Sequence, residues 1–132
     1  MRKQFNLPSE DQEWLDMQGL RYELVLEGAI LRVVLYDMSV PVGYNHPKTD
    51  VNVRIDAGYP DTPIDMVYFS PALIKFNGVP PKAITDDPFD GKPWQRWSRH
   101  RTAANPWRPG VDNLETHFVL VQDWLEKELV KV

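Results

Sequence analysis

The sequence predicts an α+β domain, and three observations carry the prediction. Apolar and polar residues alternate in short runs between Tyr22 and Phe69, which is the period of β-strands. Leu114, Phe118, Val121, Leu125 and Leu129 recur at the spacing of one helical face. Between these regions lies a proline-broken stretch that suits neither period. At 132 residues, with 42% hydrophobic composition, the whole chain is expected to fold as one domain around a real core.

Each element can be justified in turn. Ser9 opens a short first helix, with Gln12 three residues on at capping-box spacing and Glu10, Asp11 and Glu13 in its first turn. Trp14 and Leu15 supply its apolar side, and Gly19 ends it. Tyr22 to Glu27 alternates as a strand, Glu27-Gly28 turns, and Ala29 to Met38 follows as a long apolar strand. Two prolines and a glycine make Asp37 to Asp50 a connection. Val51, Val53 and Ile55 mark a third strand, Gly58 to Pro63 a proline-stiffened corner, and Met66 to Phe69 a fourth strand. Residues from about 70 to 111 read as an irregular loop. Asp112 then caps a second, longer helix, with Glu115 completing its box and Glu126, Lys127, Glu128 and Lys131 on a solvated face. Antiparallel strands followed by a helix on one face give the α+β class.

The loop holds the most informative stretch, Asp86 to Gly110. Lys92, Arg96, Arg99, Arg101 and Arg108 occur there with no acid between Asp90 and Asp112, although the whole chain carries a formal charge of −4. Trp94, Trp97 and Trp107 share the window with Ser98, His100 and Thr102. A long segment of this kind inside a compact domain usually binds or catalyses. The alternative is that the tryptophans pin the loop to the core.

Composition narrows the chemistry. There is no cysteine, so disulfides, thiolate metal sites and thiol nucleophiles are excluded. Three scattered histidines make no zinc pattern, and neither metal nor cofactor is expected. Asp86, Asp87 and Asp90 have turn spacing, which suits salt bridges to nearby arginines better than a cation site. His117 falls beside the apolar stripe and reads as partly buried or superficial. No apolar run can span a bilayer and no signal-peptide core is present, so a cytoplasmic location is expected. Net acidity makes a nucleic-acid module the weakest reading of the tryptophan-arginine stretch.

Specific strings add a resemblance. Tyr59-Pro60-Asp61-Thr62-Pro63 running into Val67-Tyr68-Phe69, Asp90-Gly91 before the loop, and Trp107-Arg108-Pro109 before the last helix resemble the ubiquitin-conjugating (UBC) fold. Tyr44-Asn45, Tyr59-Pro60-Asp61 and the run Trp94 to Arg101 match a bacterial branch of that superfamily. The resemblance covers about Leu7 to Leu129. It implies a first helix, a four-stranded antiparallel meander, an active-site-type loop and one long helix packed on the sheet, without the two helices that usually end the family. It also implies a role beside a ubiquitin-like protein and an adenylating activating enzyme, often with a JAB-type metallopeptidase. Two departures stand out. Trp94 occupies the position after Gly91-Lys92-Pro93 where the family's cysteine would fall, and Asn77 is the only relic of its His-Pro-Asn element. Thioester transfer is therefore impossible for this chain.

What remains is a hydroxyl route or binding alone. Ser98 is the candidate nucleophile for an oxyester, with His100 as base and Thr102 as a second hydroxyl on the same face of an extended segment. Arg96, Arg99, Arg101 or the Asn105 amide can steady negative charge or pair with a tail carboxylate, while Trp94 and Trp97 can wall the tail. A non-catalytic adaptor that binds the modifier or its activating enzyme would use the same residues.

Overall fold

The computed structural model describes residues 1–130. Helix α1 (Ser9–Met17) leads into β1 (Tyr22–Glu27), β2 (Ile30–Ser39), β3 (Lys48–Ile55), β4 (Val67–Ser70), β5 (Ile84–Phe89) and β6 (Lys92–Trp97), and α2 (Leu114–Leu129) ends the fold. All six strands pair antiparallel in one sheet, ordered β1-β2-β3-β4-β6-β5. The α+β class therefore holds, while the expected four strands become six.

The two extra strands lie inside the stretch expected to be irregular. Asp90 and Gly91, at φ 54° and 77°, form the two-residue turn that this pairing of strands requires. Phe89 pairs with Lys92 across the turn, so Pro88 and Pro93 face each other one step further along. In a two-residue hairpin that second pair exchanges no backbone hydrogen bonds, and the missing N–H groups cost the ladder nothing.

Period 2 divides the sheet between two cores. One face carries Leu24, Val33, Leu35, Val51, Val53, Phe69 and Trp97 against Leu114, Phe118, Val121 and Leu125 of α2. The other buries Val25, Val34, Tyr68, Phe89 and Trp94. Arg32 of β2 reaches Asp87 of β5 at 2.9 Å and stacks 4.3 Å over Phe89, so the edge strand folds across this second face. The Asp87–Arg32 and Asp90–Arg2 pairs account for two members of the carboxylate cluster.

Both helix starts lie one residue from expectation. Pro8 precedes α1 without a side-chain cap, so Ser9 and Gln12 make no capping box. Asn113 rather than Asp112 caps α2, exchanging hydrogen bonds with Thr116. Glu128 is 1% exposed, which removes it from the solvated face, and Lys131 lies outside the described residues.

Candidate functional site

Two regions flank the short central strands β4 and β6. The first is a groove of about 590 Å³ between the segment 71–80 and the β5–β6 hairpin. Pro71, Ala72, Ile74, Pro80, Asp86 and Trp94 contribute to its lining. Its wall is fixed by two amide side chains that imitate backbone. Gln95 accepts from Leu73 N–H at 3.0 Å and donates to Leu73 C=O at 3.1 Å. Asn45 accepts from Ile74 N–H at 2.9 Å and donates to Ala72 C=O. Neighbouring Tyr44 anchors the same connection by donating to Leu125 C=O at 2.6 Å. Nothing local in the sequence marks Gln95 or Asn45 as wall-forming, because their partners lie 22 to 29 residues away.

The second region is the strap that leaves β6 at Ser98 and runs to Gly110 over the corner at Tyr59 and the start of α2. Trp107 Nε1–H donates to Pro60 C=O at 2.9 Å, and its ring lies 6.1 Å from that of Tyr59. Tyr59 in turn donates to Asp11, whose other oxygen accepts from Leu114 N–H. The corner thereby ties strap, α1 and α2 together. Asp65 holds the strap from below, accepting from Arg101 N–H at 3.2 Å and lying 3.9 Å from His100 Nδ1.

The expected site residues separate under this geometry. Trp94 and Trp97 are 2% and 0% exposed. Three residues apart on one strand, they point to opposite faces and fill opposite cores. Trp97 lies within the helix-side core, so it cannot wall a tail, and neither indole offers a free face to a nucleic-acid base. Trp94 contributes only a groove edge. Arg96 donates to Thr85 Oγ1 at 2.9 Å on the hairpin surface. Arg99 is consumed by structure: it donates to Lys82 C=O, Ser98 C=O and Glu128, with its guanidinium 4.9 Å from the Trp97 ring centre. Asn105 sits in an exposed turn with Thr102. Ser98 and His100 share no hydrogen bond among the described residues, so the strap brings together His100, Arg101 and Asp65 rather than a serine-histidine pair.

Two groups on α2 are more deeply buried than the sequence suggests. His117 is 0% exposed, not superficial, and its Nε2 meets Met66 C=O at 2.9 Å. Burial pushes its pKa down to about 4, helped by the charge of Arg101 and opposed by that hydrogen bond and Asp65. At the other end of α2, the Glu128 carboxylate receives Lys75, Arg99 and the backbone N–H of Lys82. A helical period places residues 117 and 128 on the sheet-facing side, yet nothing local identifies their partners. Among the described residues no group of three or more potential ligands could hold a metal ion.

The family model of prokaryotic E2 family E matches residues 7–128, a span that takes in both helices almost to the end of α2 and all six strands. The chain belongs to that family. Comparison with curated proteins and with solved structures finds no match. The chain has no cysteine, and Trp94 contributes to the lining of the groove. Among the described residues no helix is long and apolar enough to cross a membrane.

Proposed function

We propose that this chain is an E2-like component of a bacterial ubiquitin-like conjugation pathway that positions the modifier's C-terminal tail without a thioester. Its partners under this reading are the modifier, the adenylating enzyme that activates it and, in the same system, a JAB-type metallopeptidase. The observation that carries the reading is the groove beside Trp94. Its volume suits an extended peptide segment, and its proline, alanine and isoleucine lining gives an apolar bed with one carboxylate, Asp86. The hydroxyls that line it, Ser70 and Thr85, have no histidine among the lining residues to take a proton. Such a groove holds a tail and does not attack it.

A second reading, an oxyester on Ser98 with His100 as base, draws on one observation: Asp65 stands where it can orient the imidazole. A single reconstitution separates the two. The chain is mixed with its cognate modifier, the activating enzyme and ATP, and analysed by size exclusion and by denaturing gel. Positioning predicts a non-covalent complex, no adduct on the gel, and loss of the complex in Ile74→Glu, which puts a charge into the groove. A base-labile, thiol-resistant adduct that disappears in Ser98→Ala would instead establish the carrier.

A further inference from the structure

The two edges of the sheet are finished differently. Along β1 the chain closes its own edge. Gln4 N–H donates to Leu24 C=O at 2.8 Å, Leu24 N–H donates to Arg2 C=O at 2.9 Å, and the Gln4 amide oxygen accepts from Leu26 N–H at 2.8 Å. The opposite edge, β5, has no such cover. Phe89 and Lys92 flank the two-residue turn, and Ser98 N–H donates to Ala83 C=O at 2.9 Å. Residues 83, 85, 87 and 89 therefore turn their backbone groups toward β6, while Ile84, Asp86 and Pro88 turn theirs outward. Among the described residues, the outward N–H and C=O of Ile84 and Asp86 and the C=O of Pro88 have no protein partner. Thr85, Asp86 and Pro88 are exposed, so this row lies open.

That row specifies its complement. Donors and acceptors that recur at every second residue, about 7 Å apart, match an extended polypeptide backbone and no compact small molecule. Charge then selects among extended segments. Asp87 and Asp90 are neutralised by Arg32 and Arg2, whereas the exposed Asp86 carboxylate has no cation beside it among the described residues. In an added strand, the residue opposite Asp86 is favoured when it is basic. The other face of the edge asks for no charge, because Thr85 there already accepts from Arg96 at 2.9 Å. A second copy of the chain fits badly. The two antiparallel registers in which two β5 strands overlap most set Asp86 against Asp86 or against Pro88, which has no N–H to give.

We propose that the open edge of β5 accepts an extended, basic segment of a partner protein, which joins the six-stranded sheet as a further antiparallel strand with a lysine or arginine opposite Asp86. This contact is distinct from the tail-positioning groove, although Asp86 borders both, and neither depends on the other. The probe is a capped peptide that alternates threonine and lysine and is long enough to span β5. It is titrated into the ¹⁵N-labelled full chain at low, constant ionic strength, with amide shifts and hydrogen exchange followed by NMR. Saturable shifts along Ile84–Phe89 are expected, with slowed exchange of the Ile84 and Asp86 amides. The same peptide N-methylated at its lysines loses the donors that face the edge and should not bind. Glutamate in place of lysine should weaken binding about tenfold. Asp86→Asn should weaken it about two- to fivefold, and Asp86→Pro, which also removes an outward N–H, about threefold further. Proline at this phase leaves the ladder intact, as Pro88 already does. No saturable shift, or equal binding of the glutamate or the N-methylated peptide, would overturn the proposal. A dimer in sedimentation that Asp86→Pro dissociates would also overturn it, since the edge would then serve a second copy. Ile74→Glu, which disturbs the groove, is expected to retain probe binding; loss of binding there would place the peptide in the groove and overturn the edge.

Discussion

Arg99 and Arg101 stand two residues apart on one strap and meet opposite ends of α2. Arg99 reaches the C-terminal end, where helix carbonyls favour a cation and Glu128 supplies a buried carboxylate 3.2 Å away. Its guanidinium also donates to two backbone carbonyls. Arg101 lies toward the N-terminal half, stacked 5.1 Å over the Trp107 ring, with a carboxylate, Asp112, at 3.7 Å and two nitrogens without a protein partner among the described residues. Arg99 is fully partnered, whereas Arg101 among the described residues keeps two buried nitrogens without a protein acceptor. The lesson is that a local excess of positive charge says little about binding until each guanidinium has been assigned its partners.

The comparison breaks first at Glu128. Replacing it with alanine leaves Lys75, which is 6% exposed, and Arg99 without their shared carboxylate. A loss of about 3–5 kcal/mol is expected in chemical denaturation, because an uncompensated buried charge costs more than the pair contributed. A loss below about 1 kcal/mol would show that this end of the helix is not cemented by charge. Next comes acidity at the other end. His117 titrates near 4 in the folded chain, below its ordinary value of 6.5, so the unfolded chain binds the extra proton first as pH falls. Stability is therefore full above about pH 6.5 and declines toward pH 4 by about 3 kcal/mol, flattening below. His117→Gln keeps a donor for Met66 C=O and should flatten that window in pH-dependent urea melts. The slope that remains at lower pH would come from carboxylates such as Glu23, held down to about 2 chiefly by its hydrogen bond from Arg2.

These features differ in how legible they were from residues alone. The first four strands and both helices follow from alternation, turn glycines and the 3.6 period, with boundaries moved by one to three residues, the most at the start of β3. The β5–β6 hairpin was obscured by Pro88 and Pro93, although Asp90-Gly91 between them is a strong hairpin signal. Two prolines speak against a strand only when their N–H groups would have been needed, and register decides that. The same limit applies to Trp94 and Trp97. Once residues 92–97 are known to be a strand, a spacing of three puts the indoles on opposite faces; in a loop it says nothing. Asp65, Gln95 and His117 lay beyond reach because each acts through a partner at least 22 residues away.

Smaller effects sharpen the contrast between the arginines. Arg99→Met removes the fork from Glu128 but leaves Lys75 and Lys82 N–H on that carboxylate, so about 1–3 kcal/mol should be lost. The matching change, Arg101→Met, is expected to move stability by less than about 1 kcal/mol in either direction. It forfeits a stacking contact with Trp107 at 5.1 Å and a long ion pair with Asp112. It also removes a desolvated charge whose Nε and Nη2 have no protein acceptor among the described residues, and methionine fills similar space. Parallel denaturation of the two variants reads the difference directly. Equal losses would mean that Arg101 is as firmly built into the fold as Arg99. A negligible loss beside a substantial one would leave Arg101 as a cation kept for something other than stability.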